Sequence, residues 1–446
     1  MKVKVNIFIS MLLFFSLASV ASAAPSSKFA IEAEYDYAGP FQDGVAIVSV
    51  DGMFGLINKS GEQIVEPIYT EMGDFVEGFS TVINDEGLSG IIDTTGKEVL
   101  PLKYDFVDIF KEDLAAVLTG DKWGFVDKKG KLVIPATFQD ASRFYNGYAV
   151  IVNEEGHVGF INKTGKVIKQ TKLYLQTEIA YEEFAFEEGF VWLRDDKDRL
   201  GFYSLSGKEI LKPTYDSAVT EFYADPESDV STYYFEEGLT VVSKDLKRVI
   251  VDTKGKVVAK LPQYDGLQGF IPYNVSEGTI NVGYGEEEPT DFGVINKNGK
   301  QISFGKYNTY GGIKEGLVIV ENNDKFGFAD KNGKIVIKAQ YDDVWTFKNG
   351  LAWVQKGKKW AIIDKKGKIV IDFKYESPGE YNYFDKDIFI NGLAFVGNND
   401  GYGLIDRNGK EVLALEYMIV GAPSEGLVPV SLDGEKFGYV AVPTTN

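Results

Sequence analysis

The chain has 446 residues, with 47 Lys and Arg against 66 Asp and Glu, a formal charge of −19. That balance excludes partners held mainly through phosphates, since nucleic-acid affinity rests on Lys and Arg displacing counterions, and it disfavours anionic membranes. With no Cys and a single His, the chain can form no disulfide, thiolate nucleophile or Cys-ligated zinc site, and little room is left for a His-based metal site.

Residues 1–23 carry Lys2 and Lys4, an apolar stretch from Ile7 to Val20, and the small residues Ala21-Ser22-Ala23. This order is that of a secretory signal cleaved after Ala23, and the small-residue exit argues against a retained membrane anchor. No later stretch is long and apolar enough to span a bilayer. The mature product is expected to be secreted, extracellular or periplasmic.

From about residue 30 onward one unit recurs about eleven times. Its sharpest copy is Trp123-Gly124-Phe125-Val126-Asp127-Lys128-Lys129-Gly130-Lys131. Relatives begin at Phe54-Gly55, Ser89-Gly90, Val158-Gly159, Leu200-Gly201, Phe292-Gly293, Phe326-Gly327, Trp360-Ala361, Tyr402-Gly403 and Phe437-Gly438, with a worn copy at Arg248-Val249. Six of the ten gaps between these positions are 34 or 35 residues. Each copy is preceded by an aromatic-x-Glu/Asn-Gly-Leu segment, as at Phe347-Lys348-Asn349-Gly350-Leu351. Further upstream lies a Tyr-Asp pair, as at Tyr104-Asp105 and Tyr341-Asp342.

The pattern resembles the bacterial WG-repeat proteins, named for a Trp-Gly pair followed by Phe/Leu-Ile-Asp-x-x-Gly-Lys. The resemblance covers nearly all of residues 30–442, although only Trp123-Gly124 keeps the literal pair. It implies a β-rich extracellular or envelope repeat protein, and it carries no catalytic residue over to these positions.

The residues themselves predict an all-β array of tandem antiparallel β-meanders of about 35 residues. Leu351-Ala352-Trp353-Val354 and Trp360-Ala361-Ile362-Ile363 are short, apolar runs of strand-forming residues, with a polar loop between them. In Asp364-Lys365-Lys366-Gly367 the Asp can accept from the backbone ahead and the Gly can take a positive φ. A unit this small cannot hide its apolar face alone and must stack on its neighbours. Propellers typically have four to eight blades, so eleven units are expected to form a β-propeller-like array, more readily as two smaller rings than as one, or an open superhelical β-solenoid. The longer gaps, with Tyr223–Asp229 and Gly285–Pro289 inserted, suggest three segments after the signal: 24–165, an irregular 166–290, and 291–446.

Chemistry is hard to find in the repeat. His157 falls in a polar hairpin loop. The carboxylate pairs Asp195-Asp196, Glu182-Glu183, Glu187-Glu188 and Asp342-Asp343 are of the kind glycosidases use, but 66 acidic residues produce such pairs by accident. Asn322-Asn323-Asp324 lacks the spaced oxygen ligands of an EF-hand, and Gly130-Lys131 lacks the Ser/Thr ending of a phosphate loop. No catalytic residue, metal ligand or cofactor is therefore assigned. Aromatics outside the consensus, Trp192, Trp345, Trp353, Tyr145 and Tyr381, are the expected ligand-stacking residues, with core packing as the competing role.

The sequence thus points to a non-enzymatic scaffold, expected to be monomeric, that binds an extracellular or cell-envelope protein or glycan. A carbohydrate-active propeller enzyme and a passive envelope component without a ligand are the alternatives.

Overall fold

The computed structural model describes residues 28–175, 186, 189–218, 238–245, 247–260, 271–284, 291–296, 300–379 and 388–443. They form eleven small antiparallel sheets, the blades of one propeller-type ring. In the first unit the strands are Tyr37–Ala38, Val45–Val50, Met53–Asn58 and Gln63–Tyr69, paired in chain order. The third unit repeats this with Phe106–Val107, Leu114–Thr119, Lys122–Asp127 and Leu132–Phe138. The signal-like segment and the insertions Tyr223–Asp229 and Gly285–Pro289 lie outside the described residues.

The turns form where their residue types allow. Between the third and fourth strands, the Asp127 carboxylate accepts from the N–H groups of Lys129 at 2.9 Å and Lys131 at 3.0 Å. Asn58 accepts likewise from Ser60 and Glu62. This is the Asx-turn logic that the Asp/Asn-x-x-Gly spacing predicts. Between the first and second strands, Glu-Gly or Asn-Gly closes a two-residue hairpin in which both residues take positive φ, 52° at Glu77 and 82° at Gly78.

The glycine of the Trp-Gly position answers to a different constraint. Between Trp123 opposite Phe138 and Phe125 opposite Ile134, the fourth strand bulges toward Gly124. A Cβ there would lie 2.7 Å from both the Ile134 carbonyl and the Ala136 nitrogen. In the worn copy, Val249 stands opposite Lys260 and Ile250 opposite Ala259, so the strands are in register at Val249, with the irregularity displaced to between Ile250 and Val251, and a side chain fits.

Eleven apolar clusters hold the described residues together, one in each seam between neighbouring units. The seam between the second and third units, for example, joins Ile91, Leu100 and Tyr104 to Phe110, Ala115, Val117 and Val126. The last unit meets the first in the same way. Ile31, Tyr35, Leu427 and Tyr439 pack on Ala38, Phe41, Val48 and Ile57. The strand Ile31–Tyr35 completes the eleventh sheet by pairing with Phe437–Ala441, Ile31 opposite Tyr439 and Tyr35 opposite Phe437. Burying a large apolar side chain contributes roughly 1.5–3 kcal/mol, so each seam carries its own share of the stability.

The β-propeller-like array of repeats is as expected, but it closes as one ring rather than as two smaller rings or an open superhelix. The reason lies in the links. At most junctions a single residue, such as Thr70, Asp105 or Gln139, connects the fourth strand of a unit to the first strand of the next, whereas residues 171–173 and 303–307 make longer links. The new unit's first strand packs over the previous unit's third strand, and its second over the previous fourth. Units overlapping in this way turn only modestly from one another, and eleven fit before the chain meets its own start.

Candidate functional site

The recurrent residues are consumed by folding. The Tyr of a Tyr-Asp pair ends a fourth strand and is buried at Tyr35, Tyr104 and Tyr341, and half-buried at Tyr215. Its Asp accepts from the hairpin turn between the second and third strands. Asp36 bonds the Asp51 N–H at 2.7 Å, Asp216 that of Asp245 at 2.7 Å, and Asp342 that of Gly357 at 2.7 Å. Asp36 also pairs with Lys436 and Asp342 with Lys325. These lysines, with the turn N–H groups, hold both carboxyls below the usual Asp range. Trp123 stacks edge-to-face on Phe106 at 5.6 Å between ring centroids, as Phe54 does on Tyr37 at 6.2 Å.

Of the aromatics expected to stack on a ligand, Trp192 and Trp353 are fully buried and Tyr145 is 5% exposed. They pack as core: Trp192 lies against Phe202 at 5.1 Å, and Trp353 sits in the seam with Ile362, Ile388 and Phe389. A ring without accessible surface offers no face to a sugar. Trp345 is half-buried and stacks on Trp360 at 5.8 Å, and Tyr381 lies outside the described residues. The repeat carried the missing signal. Trp192 and Trp353 occupy the third place of a second strand, where Ile47 and Ala116 stand in other units, and that place faces a seam.

The other candidates are engaged as turns. His157 sits in a hairpin, with its Nδ1 3.1 Å from Glu155 and its ring against Tyr174. Asp195 accepts from the backbone of Lys197 and Arg199 and holds the Arg199 side chain at 2.6 Å, which lowers its pKa. Glu182-Glu183 and Glu187-Glu188 lie outside the described residues. Among the described residues no group of three or more Asp, Glu or His is placed to hold a metal ion, and no helix is long and apolar enough to cross a membrane.

Sequence reasoning missed the exposed rings at the first position of the first strand. Tyr37 in the first unit, Phe106 in the third and Tyr174 in the fifth are 44%, 43% and 42% exposed. The intervening second and fourth units place Glu71 and Asp140 there. This position changes from unit to unit, and no neighbouring residue type marks the copies that carry an exposed ring there.

Phe106 forms one wall of a groove of about 420 Å³ between the second and third units. Glu71, Met72, Asp74, Val76, Thr81 and Ser89 of the second unit also line it. Arg143 of the fourth unit lines it as well. Its Nε and Nη2 each donate to Asp108 at 2.7 Å, a bidentate pair that fixes the guanidinium. The Val107 N–H donates to Ser89 Oγ at 3.2 Å, which ties the first strand of the third unit to the second. The groove offers one ring face, an apolar shelf and exposed carboxylates.

In backbone shape the chain is similar to a crystal structure of a eukaryotic initiation factor, at 13% identity over 82% of this chain and 95% of that one, with a TM-score of 0.36. It is also similar to Hsv2p of Kluyveromyces lactis, at 12% identity, 67% and 97% coverage and a TM-score of 0.30. A third is BamB from Moraxella catarrhalis, at 11% identity, 75% and 92% coverage and a TM-score of 0.26. No curated protein matches the chain in sequence. The profile described as "WG containing repeat" matches residues 25–53, 54–86, 90–123, 123–155, 292–326, 326–360, 361–401 and 402–435. These segments make up more than half of the chain, which therefore belongs to the WG-repeat family.

Proposed function

We propose that this protein is a secreted, non-enzymatic, monomeric scaffold that binds an extracellular or cell-envelope protein or glycan through residues displayed around its ring. The observation that carries this reading is the division of labour within the repeat. Tyr, Asp, Gly and most Trp positions are engaged in packing or turns, whereas Tyr37, Phe106 and Tyr174 stand exposed where the repeat is free to vary. Each ring rests against one aromatic neighbour, Phe54, Trp123 or His157, and still leaves a large part of its surface in water, which is what a binding surface uses. The amino-terminal stretch with Ala21-Ser22-Ala23 supports export.

The test is a pull-down from the organism's envelope and culture fractions, with a glycan array beside it, using the chain from residue 24 at low and moderate salt. A partner retained by that chain and lost when Tyr37, Phe106 and Tyr174 are all changed to Ala supports the reading. No retained partner at either salt refutes it.

A further inference from the structure

We propose that the groove between the second and third units takes an extended peptide segment of a protein partner, in which an apolar side chain is flanked by Lys or Arg. The proposal rests on the scaffold reading and narrows it to one partner chemistry at one place.

The walls set both halves of that chemistry. Phe106 and Val76 are 43% and 44% exposed, and with half-buried Met72 they form an apolar surface that an aliphatic or aromatic side chain would cover. The volume of about 420 Å³ lies within the range of about 300–1,000 Å³ common for ligand pockets. Glu71 and Asp74, which also line the groove, are exposed. Neither has a hydrogen bond or ion pair among the described residues. The one cation lining the groove, Arg143, is neutralised by its bidentate contact with Asp108.

The local field is therefore negative, within a chain of formal charge −19. A cation above Phe106 gains both the carboxylates and the ring face. A polyanion is repelled, and a neutral sugar would use the ring but leave the two carboxylates without a counter-charge. Long-range attraction adds to the encounter rate at low salt.

The experiment measures anisotropy of a fluorescein-labelled nonapeptide, Lys-Leu-Lys repeated three times, on the chain from residue 24. A Glu-for-Lys version of the peptide and the neutral sugar chitohexaose serve as comparison probes. The basic peptide is expected to bind and the acidic one not to. Phe106→Ala should weaken binding about tenfold, a loss typical of a central aromatic anchor. The double change Glu71→Gln with Asp74→Asn should weaken it by a similar factor at low salt and flatten its salt dependence. A control with the same charge change on exposed sites elsewhere, Asp196→Asn with Asp400→Asn, should shift affinity less than about twofold.

Equal losses in the two double variants, indifference to Phe106→Ala, or chitohexaose binding that displaces the peptide would each overturn the proposal. A partner retained in the pull-down while the peptide fails to bind removes only this groove assignment. Peptide binding localised to the groove with no partner retained leaves the groove standing and removes the scaffold reading.

Discussion

Lys59 of the first unit lies 2.7 Å from Glu425 of the last, and the Glu425 carboxylate also accepts from the Gly44 N–H at 3.2 Å. The same contact recurs at inner seams. Glu112 accepts from the Gly147 N–H and pairs with Lys163, and Glu315 accepts from the Gly350 N–H and pairs with Lys365. Each Glu is the first residue of a hairpin turn and takes a positive φ, between 50° and 52°, which Asn adopts more readily. Its side chain recovers that cost by clipping the next unit, and the ring closes through the clip used along it.

Glu425→Ala should lower the stability of the ring by about 1 kcal/mol, the upper range for a partly exposed ion pair with one backbone hydrogen bond. Glu112→Ala should do the same, because closing and inner seams are built alike. Denaturant unfolding of both variants checks this. A loss at Glu425 several times that at Glu112 would show that the closing seam is a weak point rather than an ordinary one.

Gly124→Ala places a Cβ 2.7 Å from the backbone of Ile134 and Ala136. The cost should be about 1–3 kcal/mol, as for overpacking in a close-packed interior. The ninth unit has Ala361 at the same place and keeps the bulge, with Trp360 opposite Tyr375 and Ile362 opposite Ile371. Ala361→Gly should therefore change stability by less than Gly124→Ala. Thermal melts of the two variants supply the comparison, and equal effects would contradict the close-approach account.

Deleting residues 24–35 removes the strand that pairs with Phe437–Ala441 and takes Tyr35 and Ile31 out of the closing seam. It uncovers an unpaired strand edge, which favours association between chains. The truncated chain should elute as oligomers in size-exclusion chromatography and melt at lower temperature. A monomer with an unchanged midpoint would mean that the closing strand is dispensable.

Acid should open the clips. Burial pushes the Glu425 carboxyl up, but Lys59 and the Gly44 N–H outweigh it and leave the group below the ordinary Glu value. Glu315 is held down in the same way against its burial by Lys365 and the Gly350 N–H. A carboxylate with a depressed folded-state pKa adds stability above its unfolded value and loses it as pH falls through the folded one. Unfolding free energy should therefore drop as pH is lowered from about 5 toward 3, and the drop should be smaller in Glu425→Gln with Glu315→Gln. Parallel pH profiles for the double variant and the parent would argue against the clips as the acid-sensitive element.

Much of the local structure was legible in the chain. Asp127 through Gly130 specify a turn whatever surrounds them, because the Asp carboxylate and the Gly φ act within five residues. Strand order within a unit followed from the same short-range rules. The exposed rings were not legible in that way. Trp353 is fully buried and Phe106 is exposed although both stand in strands, because exposure depends on which neighbouring unit covers a face.

The sequence by itself determined the unit, its turns and its number of copies, since these depend on contacts between residues close in the chain. Only the tertiary structure decided that the copies close into one ring and that the second and third units enclose a groove. Those outcomes depend on the small angle by which each overlapping unit turns from the last. That angle is set by short links and seam packing, and its effect accumulates over eleven units until Tyr439 meets Gly39, whose carbonyl accepts the Tyr439 hydroxyl at 2.7 Å.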